Sequence, residues 1–166
     1  EIYTLSLHDA LPILLFPYYK NSYPTLLMTF IKEVVLQLHP TRLYLRRVTE
    51  SDLDDLFRIY GDPATNTFNP AGPYPDIQHA QTVLARWINH WETHNFGNWA
   101  ISLKDSPERI IGFGGLSISS YANLLINNLG YRFATEAWGK GLATEFSKNS
   151  VRYGFCELKQ IGRAHV

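Results

Sequence analysis

The chain has 166 residues, 45% of them hydrophobic and 18% charged, with acidic and basic side chains in equal number. That composition can build an ordinary core, and it carries no basic excess that would mark a nucleic-acid partner. The single cysteine, Cys156, excludes an internal disulfide framework, and no window reaches the roughly 18 apolar residues of a membrane span.

Residues 1–13 (EIYTLSLHDALPI) resemble one reading frame of a common short-read library adapter. Residues 160–166 (QIGRAHV) resemble the opposite adapter entered one base before its start. Both stretches are set aside as non-native before any fold is read. Residues 14–40 are then an uncertain leader, with Met28, the only methionine, as the expected start. The domain is expected over residues 41–159, incomplete at its C-terminal side. One cysteine fits a reducing compartment, so the protein is expected in the cytoplasm.

Leu43 to Val48 alternates apolar and polar residues, which predicts a strand. Thr49 offers an N-cap hydroxyl and Asp52 a first-turn acid. Leu53, Leu56, Phe57 and Tyr60 follow at helical spacing, and Gly61-Asp62-Pro63 closes that helix. After a loop rich in Pro and Gly (Asn69 to Pro75), Asp76 caps a second helix. Its apolar face is Ala80, Val83, Leu84, Trp87 and Trp91. Asn98 to Leu103 predicts a strand, Lys104 to Arg109 a hairpin turn, and Ile110 to Ile118 the partner strand. Asn127 to Phe133 predicts a further strand, and Gly141 to Phe155 a third helix. A strand, two helices, three strands and a helix make an α/β order.

The segment Leu129 to Glu145 (LGYRFATEAWGKGLATE) carries the chemistry. It reads as a strand, a glycine-containing turn and a helix start. Gly139 and Gly141 remove side chains where the backbone must bend and a ligand must come close. The first amides of a helix lack internal acceptors, and the helix dipole adds positive potential there. Such a place suits a phosphate or pyrophosphate, and Lys140 adds a cation. A P-loop would need Gly at position 134 and Ser or Thr at 141, where this chain has Ala134 and Gly141. Gly112, Gly114 and Gly115 precede no helix, so a dinucleotide fingerprint fails and close backbone packing is expected.

WGKGLATE preceded by LGYRF resembles the acetyl-CoA-binding motif of the GNAT acyltransferases. It is closest to the branch that includes ribosomal-protein N-acetyltransferases, as are TRLYLRRVTESDLDDLF and IIGFGGLSI. The resemblance covers about Thr41 to Leu158. It implies a mixed, mostly antiparallel sheet with helices on both faces, acetyl-CoA as cosubstrate, and no metal. It further implies that the amides of Gly139, Lys140, Gly141, Leu142 and Ala143 hold the pyrophosphate, with a Thr144 hydroxyl beside them. Trp138 belongs to the same segment. The backbone of Tyr131 and Phe133 would pair with the pantetheine arm, in a cleft whose other wall is a strand beginning just after Leu158. The chain as written is therefore expected to be inactive, and the complete gene product an enzyme.

The implied function is acetyl transfer to an amine of a protein N-terminus or a small molecule. The alternative is an inactive module that binds coenzyme A or another phosphate ligand. No catalytic residue is assigned. Many relatives carry Glu two residues before the Gly-Tyr of this strand, and this chain has Asn128. His79, His90 and His94 are read as surface or partly buried histidines rather than ligands, and Glu145 as an exposed or capping acid. Cys156 is read as a packing residue at the end of a helix.

Overall fold

The structure, a computed structural model, describes residues 41–67, 69, 71–121 and 124–158. The adapter-like ends, the segment with Met28 and the strand expected after Leu158 lie outside the described residues. Four strands form one sheet in the order β1-β2-β3-β4, each antiparallel to its neighbour. They are β1 (Leu43–Arg47), β2 (Asn98–Leu103), β3 (Ser106–Tyr121) and β4 (Leu124–Phe133). Three α-helices accompany them: α1 (Leu53–Tyr60), α2 (Ile77–His94) and α3 (Leu142–Cys156). Every described strand pair is antiparallel, so the mixed character expected of the sheet is not seen within these residues.

Strand alternation decides which helix covers which face. Phe113 of β3 meets the rings of Tyr60 from α1 and Trp87 from α2. On the opposite face, Trp99, Tyr131 and Phe133 surround Phe146 of α3. Helices therefore pack on both faces, with Leu56, Ile59, Ala80 and Leu84 buried on one and Leu142 and Phe146 on the other. The core is thin where β3 carries glycine. A Cβ on Gly114 would lie 2.5 Å from the Tyr131 Cβ, and one on Gly115 would strike the Gly97 carbonyl. Close backbone packing is what these glycines permit.

The local signals translate with one shift. Asp76 caps α2 by accepting from the His79 amide at 2.7 Å, and Asn95 ends that helix at φ 58°. Thr49 is the N-cap of the first turn and forms a capping box with Asp52, whose carboxylate accepts from the Thr49 amide (2.7 Å) and its hydroxyl (3.3 Å). The hairpin turn predicted over Lys104 to Arg109 is shorter. Only Lys104 and Asp105 turn, and β3 already begins at Ser106. Between the pairs Leu103↔Ser106 and Ser102↔Ile110 the register shifts, and Pro107 sits in that shift. A residue without an N–H is tolerated where the ladder is interrupted.

Asp52 is buried (2% exposed) and takes a two-pronged pair from Arg46, at 2.8 and 2.5 Å. Burial pushes its carboxyl up, but the Arg46 hydrogen bond and the Thr49 amide outweigh it and hold it below the usual value. A carboxyl lowered on folding stabilises above its unfolded pKa of about 4, and that contribution is lost as pH falls through the folded value. Urea midpoints should therefore fall steeply below about pH 4, and Asp52→Asn should flatten the lower limb. An unchanged slope in the variant would show that other groups carry the acid sensitivity.

Candidate active site

The strand-to-helix passage after β4 is longer than the motif suggests. A short 3-10 turn, Thr135–Ala137, intervenes between β4 and the glycine turn. The Trp138 amide is consumed by the Thr135 carbonyl at 3.1 Å, and its indole N–H donates to the Phe133 carbonyl at 3.0 Å. The indole ring remains 39% exposed beside the turn. The backbone then reverses through two left-handed glycines, Gly139 (φ 70°) and Gly141 (φ 72°). A Cβ at Gly139 would meet nothing within 4 Å, so conformation rather than crowding demands glycine there.

Gly141 is the N-cap of α3, and the first amide with a protein acceptor is that of Glu145, which donates to Gly141 at 3.1 Å. Among the described residues, none of the amides of Gly139, Lys140, Gly141, Leu142, Ala143 and Thr144 has a protein acceptor. A run of donors at the positive end of a 15-residue helix has the chemistry that suits an anion. A clamp that local sequence did not reveal fixes this turn. Glu145 accepts from the Arg42 amide (2.6 Å), Arg42 Nε (2.9 Å) and the Thr41 hydroxyl (3.0 Å), and Arg42 Nη2 donates to the Lys140 carbonyl at 3.0 Å. Burial raises the Glu145 carboxyl, but these bonds outweigh it and keep it lowered. Glu145 is thus a tether rather than a base. Glu136 is likewise engaged, by Arg58 at 3.5 Å and Arg109 at 3.4 Å.

β4 is the last described strand of the sheet. The Ala134 amide donates to Ile111, so Arg132 points its backbone toward β3 while Tyr131 and Phe133 point theirs away. The Trp138 indole already occupies one lone pair of the Phe133 carbonyl. On the α1/α2 face lies a cleft of about 210 Å³ lined by Tyr60, Trp87, Asn98, Ser117, Asn128 and Arg132. Gly130, paired with Gly115 across the ladder, lines it as well. Above Gly130 a Cβ would meet only Asn128 Nδ2, at 3.8 Å.

Arg132 is 7% exposed, and its Nε and Nη1 have no hydrogen-bond partner. Its guanidinium carbon lies 4.1 Å from the Tyr60 ring centre, a contact of about 0.5–2 kcal/mol. Burial, with Tyr74 adding to it, pushes the Tyr60 hydroxyl far up, and burial pushes Tyr74 to about 12. Both phenols therefore stay neutral near pH 7, and among the described residues no carboxylate pairs with Arg132. The sequence placed Arg132 inside the motif but gave no sign of this environment, because the burial comes from α1 and α2.

The histidines have other work. The His90 Nε2 accepts from the Ile118 amide at 3.2 Å, so its Nδ1 carries the proton and donates to the Phe96 carbonyl at 2.7 Å. His90 thus pins α2 to β3, while His79 is exposed against Tyr74. Among the described residues no three His, Cys, Asp or Glu side chains gather as a metal set, and no helix is long and apolar enough to cross a membrane.

The family model described as "Acetyltransferase (GNAT) domain" matches residues 42–166. The chain belongs to the GNAT acetyltransferases. A curated relative, the uncharacterized N-acetyltransferase p20 of Bacillus licheniformis, is 29% identical over 122 residues, covering 73% of this chain and 67% of that protein. Among solved structures, an acetyltransferase from Agrobacterium tumefaciens str. C58 aligns with a TM-score of 0.61 at 21% identity, over 87% of this chain and 74% of that one. A spermidine N-acetyltransferase from Vibrio cholerae, solved with CoA and spermine, aligns with a TM-score of 0.55 at 17% identity, over 72% and 68%. At these identities the structures speak for the GNAT fold. The family makes the chain an acyl-CoA-dependent N-acetyltransferase, whose acceptor the likenesses leave open.

Proposed function

We propose that this GNAT domain grips the diphosphate of acetyl-CoA with the amides of Gly139 to Ala143 and the Thr144 hydroxyl. Lys140 adds an exposed cation, and the Trp138 ring flanks the turn. The family resemblance supports a pantetheine arm that runs along β4 beside Tyr131 and Phe133. The observation that carries this reading is the unfilled run of amides between two left-handed glycines. The neutral acceptor nitrogen attacks the thioester carbonyl and forms the C–N bond, the C–S bond breaks, and the proton lost by the cationic nitrogen of the tetrahedral adduct ends on the leaving thiolate, which gives an amide and free CoA. A backbone amide at the end of β4 donates to the developing oxyanion.

The acceptor is proposed to be an α-amine, of a protein N-terminus or of a small molecule. Asn128, on the cleft wall, cannot serve as a base. Neutralising a lysine amine of pKa about 10.4 costs roughly 4–5 kcal/mol at pH 7, whereas an α-amine near 8 costs about 1 kcal/mol. A site without a strong base suits the second.

Calorimetric titration with CoA should show one site, with dephosphorylated pantetheine binding far more weakly. Thiol release by the complete gene product, with an amine panel, should favour α-amines over lysine side chains at pH 7. No CoA binding would remove the diphosphate reading, and equal rates on both amines would remove the acceptor reading.

A further inference from the structure

We propose that the cleft over Gly130 recognises a carboxylate on the acceptor, so that the substrate is a small amino-carboxylate in which Arg132 holds the acid group. The inference deepens the acetyl-transfer reading above and rests on it for the identity of the acceptor. A buried cation without a counter-charge is costly to a fold and demands an explanation. Arg132 is buried, its Nε and Nη1 lack partners, and the described ion pairs do not include it. Tyr60 offers its ring face and a neutral hydroxyl, so it shields the guanidinium without neutralising it.

A guanidinium presents its donors as a planar fork that matches a carboxylate. Asn98, Ser117 and Asn128 line the same space with neutral donors and acceptors. The cleft is small, at about 210 Å³. A cavity of roughly 150 Å³ takes benzene, so this one fits a molecule of amino-acid size and not a folded partner. The same cation opposes a polyamine. Glycine at 130 keeps the space open, because any side chain there would project into it.

The test uses N-acetylglycine and its uncharged isostere N-acetylglycinamide, titrated calorimetrically against the chain. The acid should bind at least tenfold more tightly than the amide. Arg132→Met should bring that ratio to about one, and Arg132→Lys should keep part of it. Gly130→Val, which leaves the guanidinium in place and fills the cleft, should weaken the acid at least tenfold. A ratio of one in the unmodified chain, binding of neither compound, or a ratio that survives Arg132→Met would each overturn the proposal. The comparison on the unmodified chain stands even if a variant fails to fold. CoA titrated on the same sample separates the two readings. CoA binding without acid preference sinks only the carboxylate site, and acid preference without CoA binding sinks the diphosphate site.

Discussion

Phe146→Ala is expected to lower stability by about 3–5 kcal/mol. The ring is fully buried and stands edge-on to Trp99, Tyr131 and Phe133, at centroid distances of 6.2, 5.7 and 6.1 Å. Those three rings come from β2 and β4, so Phe146 is where α3 is keyed to the sheet. Its neighbours are locked by the glycines of β3 and cannot collapse into the hole, which favours the upper end of the range. The loss is read from urea unfolding at neutral pH. A change below about 1 kcal/mol would mean that α3 is held by its ends rather than by this ring.

Gly141→Val is expected to raise the Kd for CoA about tenfold or more. A β-branched residue at φ 72° is a genuine outlier, with a strain of about 1–3 kcal/mol. The strain is relieved by rotating the peptides on either side, and those peptides carry the amides assigned to the diphosphate. Space is not the cause, since the nearest atom to a Cβ there is Arg42 Nη2 at 3.9 Å. Gly141→Ala should give a smaller effect of the same sign. An unchanged CoA affinity in the valine variant would show that the turn does not hold the cofactor.

Much of this architecture is written in short-range patterns. The helical spacing of Leu56 and Tyr60, the Asp76 cap, the limits of β2 and the place of the two glycines can each be read within a few residues. What local pattern misreads has a common cause. The sequence SPER after Asp105 reads as a turn because Pro107 and the polar residues around it are turn formers. It is strand because a register shift in the ladder with β2 absorbs the proline. Thr135 to Ala137 reads as a plain connection, and it is a 3-10 turn that consumes the Trp138 amide.

Partners from distant segments leave no local trace. Glu145 reads as a capping acid, and it is occupied by a backbone amide 103 residues earlier. Arg132 alternates with Tyr131 and Phe133 like any outward polar residue, and α1 and α2 bury it. The motif thus located the candidate cofactor turn, while the candidate acceptor cleft emerged only when five elements came together.

The grip of Glu145 on Thr41 and Arg42 has a kinetic corollary. Closing a contact over about a hundred residues is entropically slow compared with forming a helix or a hairpin. The Lys140 carbonyl and the first turn of α3 acquire their anchor only when the two ends of the described domain meet. The amide-rich turn is therefore among the last parts of the molecule to mature, and hydrogen exchange during refolding should find the Arg42 and Glu145 amides, which the clamp and the first turn of α3 bond, labelled long after α2 is protected.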